Sequence, residues 1–373
     1  MANTIAEVTP QLLAQGLLAL REEAVMARLV NRDYEGMSAQ RGSTVDVPIP
    51  SSITAQAVTA SNTAPSTADF APTSVSITLD RWYEAPFYLT DKDLAEVMSG
   101  TIPMQASEAV KSIANNIDQH ILGLYSGIYG WAGTAATTPF ASNTAEATQT
   151  RKVLNNQLAP VSDRRMVIDP DAEANALELR AFQDVSYRGD QQGIINGQIG
   201  RKLGFDWYMD QNVASHTAGT AAGYLVDQAN VAIGDTTVNI DTGTGTLVAG
   251  DIFIVAGDDQ TYVVTTAASG GDDTTLAFSP TAKVAWEDNA ALSFKGSHTV
   301  NLGFHRDAFA LAIRPLESVA DGLGNQIQSA TDPVSGVSMR LEVSREHKRT
   351  RWSFDVLYGA ALVRAELACR MAG

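Results

Sequence analysis

The chain has 373 residues, 45% of them hydrophobic and 18% charged, a balance that builds a sizeable folded core and excludes a disordered polymer. Its formal net charge of −16 argues against a dedicated nucleic-acid binder, because sequence-independent phosphate affinity comes from clustered Lys and Arg. The single cysteine, Cys369, excludes an intrachain disulfide and a cysteine-based zinc site.

The N-terminus, "MANTIAEVTPQ", lacks the basic region and apolar core of an export signal, and no apolar run approaches the roughly 20 residues that span a bilayer. A protein made and kept in the cytoplasm is expected. An amphipathic helix follows, with Thr9 as N-cap, Pro10 at the first helical position, and Leu13, Leu17, Leu20, Met26, Leu29 and Val30 at helical spacing. It needs a partner surface on its own domain or on a neighbouring chain.

Two strands come next. "STVDVPIP" alternates Val45, Val47 and Ile49 with polar residues and prolines, and "SVSITLD" alternates Val75, Ile77 and Leu79. Pro48 and Pro50 remove ladder donors, so the first strand belongs at an edge or in an isolated two-stranded ribbon. Between them runs "VPIPSSITAQAVTASNTAPSTA", Val47 to Ala68, without one charged residue. A connection of that length without its own core predicts a projection or a segment ordered by another molecule.

After the aromatic run "RWYEAPFYLT", a long helix is predicted over about residues 104–126, with Val110, Ile113, Ala114, Ile117, Ile121, Leu124 and Tyr125 on one stripe. His120 lies beside that stripe and reads as structural. "RRMVIDPDAEANALELRAF" reads as a strand passing through Pro170 into a helix with Ala174, Leu177 and Ala181 inward. Glycines 193, 197, 200 and 204 do not make G-x-G-x-x-G and read as turns.

From about residue 218 to 297 seven short β-prone runs recur at roughly ten-residue spacing, the pattern of a small barrel or sandwich. Its Asp-rich turns, "AGDDQ" and "SGGDDT", match no calcium loop and read as solvated. The chain closes with "NLGFHRDAFALAIRPLE", a polar loop, two alternating strands around a basic apex at residues 345–351, and a last segment, "LYGAALVRAELACR", that reads as a helix carrying Cys369.

No residue is assigned to catalysis, a cofactor or a metal. Histidines 120, 216, 298, 305 and 347 are scattered, and the adjacent His305, Arg306 and Asp307 of "FHRD" do not converge on one substrate. The basic apex is either a solvated hairpin tip or a tip that pairs with acidic surface on a neighbouring copy, with DNA contact a distant third.

The order of parts, with "GFDWYMDQNVASHTAG", "VNLGFHRDAFALAIRPL" and "WSFDVLYGAALVRAELACRMAG", resembles the tailed-bacteriophage major capsid protein family, in its short-tailed phage branch with an inserted β-barrel. The resemblance implies an α+β fold: an N-terminal arm at 1–41, an extended β-loop at 42–85, and a peripheral domain with the spine helix at 86–150. It further implies an axial domain at 151–217 interrupted by an all-β insertion at 218–297 and completed by 298–373.

The implied function is the icosahedral head shell around double-stranded DNA, in the virion and, during assembly, in the host cytoplasm. Implied partners are copies of itself in hexamers and pentamers, a portal protein, a separate scaffolding protein and packaged DNA bound without sequence preference, with no membrane and no cofactor. Candidate inter-subunit contacts are Val47, Ile53, Val58, Phe70, Arg345, Lys348, Arg349 and Arg351. Gly42 to Asp80 contains no lysine, so a shell held without covalent cross-links is expected. The alternatives are an encapsulin-type nanocompartment shell and, less favoured, a β-rich surface or adhesion protein.

Overall fold

The computed structural model describes residues 25–34, 44–50, 72–92, 101–184, 199–227, 230–269, 274–314, 326–331 and 338–373, with a few single positions between them. The first part of the chain supplies α1 (Val25–Leu29), β1 (Thr44–Ile49), β2 (Thr73–Thr78), β3 (Arg81–Thr90), and α2 (Thr101–Gly123) with a 3-10 turn at Leu124–Gly127. Then come β4 (Trp131–Gly133), α3 (Ala145–Asn156), β5 (Arg164–Ile168), α4 (Pro170–Glu178), α5 (Arg180–Gln183), β6 (Arg201–Lys202), β7 (Phe205–Met209) and β8 (Ser215–His216). Of the predicted N-terminal helix, everything before Val25 lies outside the described residues.

The ribbon forms as its alternation requires. β1 and β2 pair only with each other, from Thr44↔Thr78 to Ile49↔Thr73. Val45, Val47, Ile77 and Leu79 face inward, against Ala310 and Ala312, while Asp46 and Pro48 face out. Pro48 therefore costs the pair little, because no third strand needs its missing N–H.

The next ten strands are short: β9 (Leu225–Val226), β10 (Asn230–Val231), β11 (Thr237–Asp241), β12 (Thr246–Leu247), β13 (Ile252–Val255), β14 (Tyr262–Val264), β15 (Ala268–Ser269), β16 (Thr274–Ser279), β17 (Trp286–Glu287) and β18 (Leu292–Phe294). Six of them make one sheet in the order β18-β13-β14-β16-β11-β9. The two ends of that sheet meet, through Leu292 N–H to Tyr224 O and Val226 N–H to Ala290 O, both at 3.0 Å, so the sheet is a closed barrel. Its interior is a separate core of Tyr224, Phe253, Tyr262, Leu276, Phe278 and Trp286. Asp258 of the "AGDDQ" turn is not solvated as expected. It points into the barrel and accepts from Tyr262 Oη at 2.6 Å and Trp286 Nε1 at 3.2 Å, since the two aromatic donors need an acceptor once buried.

The chain ends with β19 (His298–His305), β20 (Phe309–Arg314), β21 (Gln326–Thr331), β22 (Ser338–Glu346), β23 (Arg349–Leu362) and β24 (Ala368–Ala372). β20, β23, β22 and β21 form a sheet to which β3 adds along β23, from Arg81↔Tyr358 to Thr90↔Arg349. Its inner face, with Leu341, Val343, Trp352, Phe354 and Val356, packs with the α2 stripe Val110, Ile113, Ala114, Ile117 and Ile121. A second sheet runs β4-β24-β19-β5-β7-β6, with β8 on β19, and draws its strands from both ends of the chain.

Two expectations are corrected here. The final segment is no helix: Leu357–Leu362 continues β23, a 3-10 turn spans Ala365–Leu367, and Cys369 is buried on β24. Pairing with β20 over six residues outweighs the helix propensity of its Ala and Leu. In α4 the inward residues are Ala172 and Ala176, with Ala174 and Ala181 exposed. The backbone turns extended at Leu179, so Ala181 falls in α5, where the helical phase starts afresh and Phe182 is the buried residue.

Candidate functional site

The surface that could carry function is built from the ribbon and the sheet beneath it. The ribbon crosses β23 at Gly359, where a Cβ would stand 2.0 Å from Thr78 O, so only glycine lets the two backbones meet there. Val47 is consequently part of the chain's own core at 2% exposure, and its side chain is not offered to a neighbour. Ile53, beyond the ribbon's distal end, is 74% exposed. Val58 and Phe70 lie outside the described residues.

At the basic apex the arginines are answered by their own chain. Arg345 pairs with Asp91 at 2.6 Å, Arg351 with Glu84 at 2.7 Å, and Arg349 with Glu346 across the turn. Tyr88 lies under both Arg349 and Arg351, with guanidinium to ring-centroid distances of 4.7 and 6.0 Å. Lys348, at the turn itself with φ of 57°, is exposed and makes no ion pair among the described residues. The concentrated positive patch read from the sequence is therefore mostly neutralised once β3 brings Glu84 and Asp91 alongside.

Sequence reasoning passed over what β3 contributes. Its outward residues Trp82, Glu84, Pro86 and Tyr88 alternate with inward Ala85, Phe87 and Leu89, a period-2 signal that was present in "RWYEAPFYLT". Trp82, 63% exposed, donates from Nε1 to Asp355 at 3.0 Å, and Asp355 is held by Arg340 Nε at 3.0 Å. That ionic contact raises the Arg340 guanidinium further above its ordinary range. The result is an exposed sheet face carrying two large aromatics, Trp82 and Tyr88.

Of the histidines that read as scattered, His216 and His298 are brought together, with ring centroids 5.2 Å apart, while His120 and His305 stand apart from them. His305 Nδ1 accepts from Asp307 N–H at 3.2 Å, Arg306 pairs with Asp33 at 2.7 Å, and Asp307 accepts from Asn31 at 2.6 Å, so "FHRD" ties the end of β19 to the segment after α1. The His120 ring lies tilted against Tyr358 at 5.6 Å, and burial pushes its ring's proton affinity down. Among the described residues no three of His, Cys, Asp and Glu converge as metal ligands, and no helix is long and apolar enough to cross a membrane.

Neither a protein-family model nor a curated protein matches the chain. Solved structures do. One from Mycobacterium phage Che8 aligns with a TM-score of 0.55 at 15% identity over 93% of this chain and 90% of that one. The capsid structure of cyanophage P-SCSP1u aligns at 0.51 and 10% identity, over 92% and 85%. The chain has the tailed-phage capsid fold. At this identity the likeness speaks for the fold alone.

Proposed function

We propose that the chain is the subunit of the icosahedral head shell of a tailed DNA phage. The observation that carries this reading is the alignment with the cyanophage capsid over nearly the whole of both chains. In this reading residues 1–41 are the N-terminal arm, 42–85 the extended loop, 86–150 the peripheral part with α2 as spine, 151–217 and 298–373 the axial part, and 218–297 the inserted barrel. The virion is the site of action and the host cytoplasm the site of assembly. Copies of the chain, a portal, a separate scaffold and unspecifically held DNA are the partners.

The uncharged segment after β1 supports the reading, since small hydroxyl and methyl side chains let a backbone approach a second subunit with little side-chain entropy to lose. Ile53, Lys348 and the exposed Trp82 and Tyr88 are the proposed contact residues. An acidic inner wall would let packed DNA slide rather than stick.

The test is electron microscopy of purified protein, alone and with a co-expressed scaffold. Closed shells are expected, and they should run as single monomer bands on SDS electrophoresis because the loop holds no lysine. Deleting Ser51–Ala68 should leave the circular dichroism spectrum and melting intact and abolish shells. Monomers only in every preparation, or intact shells from the deletion, would refute the proposal.

A further inference from the structure

The barrel is joined to the rest of the molecule through a buried polar cluster. His216, at the end of β8, accepts from or donates to Tyr125 Oη through Nδ1 at 3.1 Å and meets Asp251 Oδ1 through Nε2 at 2.9 Å. The neutral ring satisfies both contacts, with Nε2–H donating to the carboxylate and Nδ1 accepting the phenol proton. Asp251, at the start of β13, also accepts from the backbone N–H of Gly219 and Val248. Arg370, from β24, donates to Gly250 O at 2.8 Å and to Ser126 O at 3.3 Å, and lies over the Tyr125 ring. His216, Asp251, His298 and Arg370 are all at most 3% exposed.

His298 is the member whose protonation the fold has no place for. Its Nδ1 is 2.9 Å from Gly296 O, a carbonyl that can only accept, so Nδ1 carries the proton. Nε2 is buried and has no hydrogen-bond partner among the described residues. The ring packs edge-on against Trp131 at 4.6 Å and against His216 at 5.2 Å. The charged and titratable groups facing it are Arg370, His216 and Asp251, with Tyr125 behind His216. A second proton would put an unanswered donor and a positive charge into a buried site already holding the Arg370 guanidinium.

We propose that this cluster is an acid-opened latch, which holds the barrel against the body while His298 is neutral and releases it when His298 takes up a proton. Burial lowers His298 from 6.5 to about 4, with the Arg370 charge adding to the shift and the hydrogen bond to Gly296 O opposing it. The opened ring, back in water, binds a proton at the ordinary histidine value. The closed form is therefore at full strength above pH 6.5, and the ratio of open to closed rises by about tenfold for each pH unit lost from there down to about 4.

Hydrogen exchange on the full chain, corrected for intrinsic rates, tests this. From pH 7 to pH 4.5, exchange at His216, Gly219, Asp251 and Val300, on both sides of the junction, should rise at least tenfold more than at Ile240 and Leu276 inside the barrel sheet. In His298→Gln, which keeps a polar side chain but no titrating ring, that differential should vanish. An equal differential in the variant, or a uniform rise across barrel and body, would overturn the proposal. Should the variant not fold, the wild-type chain labelled in its five histidines decides by NMR: the His298 ring, assigned through its contact with Trp131, must protonate while the barrel core stays protected. Titration of that ring only together with global unfolding would refute the latch.

Discussion

Asp118 is a carboxylate on the inner side of α2 with no access to water. Its Oδ1 accepts from Met26 N–H at 3.3 Å, which fastens α1 to α2, while Oδ2 has no hydrogen-bond partner among the described residues. Burial, and then the charge of Asp210, push it from 3.8 up to about 8. In the unfolded chain the proton leaves near pH 4, so the Asp118 contribution to folding stability is greatest below that and declines as pH rises toward 8. Asp118→Asn keeps an acceptor for Met26 and has no proton to lose. It should raise stability at pH 8 by about 1–3 kcal/mol, the usual scale for an unanswered buried polar group, and flatten the decline between pH 5 and 8 in urea denaturation. An unchanged decline would rule Asp118 out as its source. Nothing in the amino-acid pattern marked this residue, because the apolar stripe of α2 predicts which face is buried and not which polar residue beside it is buried as well. Asp258 reads as solvated for the same reason: its turn pattern gives no sign of the aromatic donors that claim it.

Among the elements, β23 connects most of the others. Over 14 residues it pairs with β3, β22 and β20, and the ribbon rests on it at Gly359. A strand covered on both faces loses the alternation that betrays a strand, so Leu357–Leu362, rich in Ala and Leu, reads as helix from sequence and is strand in the fold. β1, β2 and α2 were legible because each has one wet face and one dry face. At Gly359→Ala the new methyl would meet Thr78 O at 2.0 Å and Thr78 C at 2.8 Å, both backbone atoms that cannot rotate away. The expected cost is about 1–3 kcal/mol, with exchange protection lost at Val45, Val47 and Ile77 and retained in the barrel. Gly123→Ala, where a Cβ meets nothing within 4 Å, is the matched control and should be neutral or slightly stabilising. Protection of the ribbon in the Gly359 variant would show that the crossing can shift, and that the ribbon's position does not depend on this contact.

At the scale of the whole molecule, the runs between residues 218 and 297 announced a β-rich unit because its strands are neighbours in sequence, whereas ring closure did not show. It depends on β9 meeting β18 across some 65 residues of chain. The sheet of β4, β24, β19, β5 and β7 was illegible for a stronger version of that reason, since its central strand β19 joins partners from residues 164–168 and 368–372. Local pattern says nothing of such pairings. The barrel, by contrast, meets the requirements for folding alone: a closed sheet, a core of its own, and ends that touch, with Ala218 N–H donating to Ser297 Oγ at 3.0 Å. Its attachment to the body combines an apolar contact of Tyr129, Ile252 and Val263 with polar ones, the Thr261 hydroxyl on Tyr129 O at 2.7 Å and the histidine cluster. Residues 218–297 expressed alone should therefore unfold cooperatively with dispersed NMR signals. The remainder, with 219–296 replaced by a short Gly-Ser bridge, should keep the β23 sheet but melt lower, because His216 and Arg370 lose Asp251 and Gly250 O. A fragment that fails to fold would contradict an independent barrel core, and a remainder that melts unchanged would contradict a junction that stabilises the body.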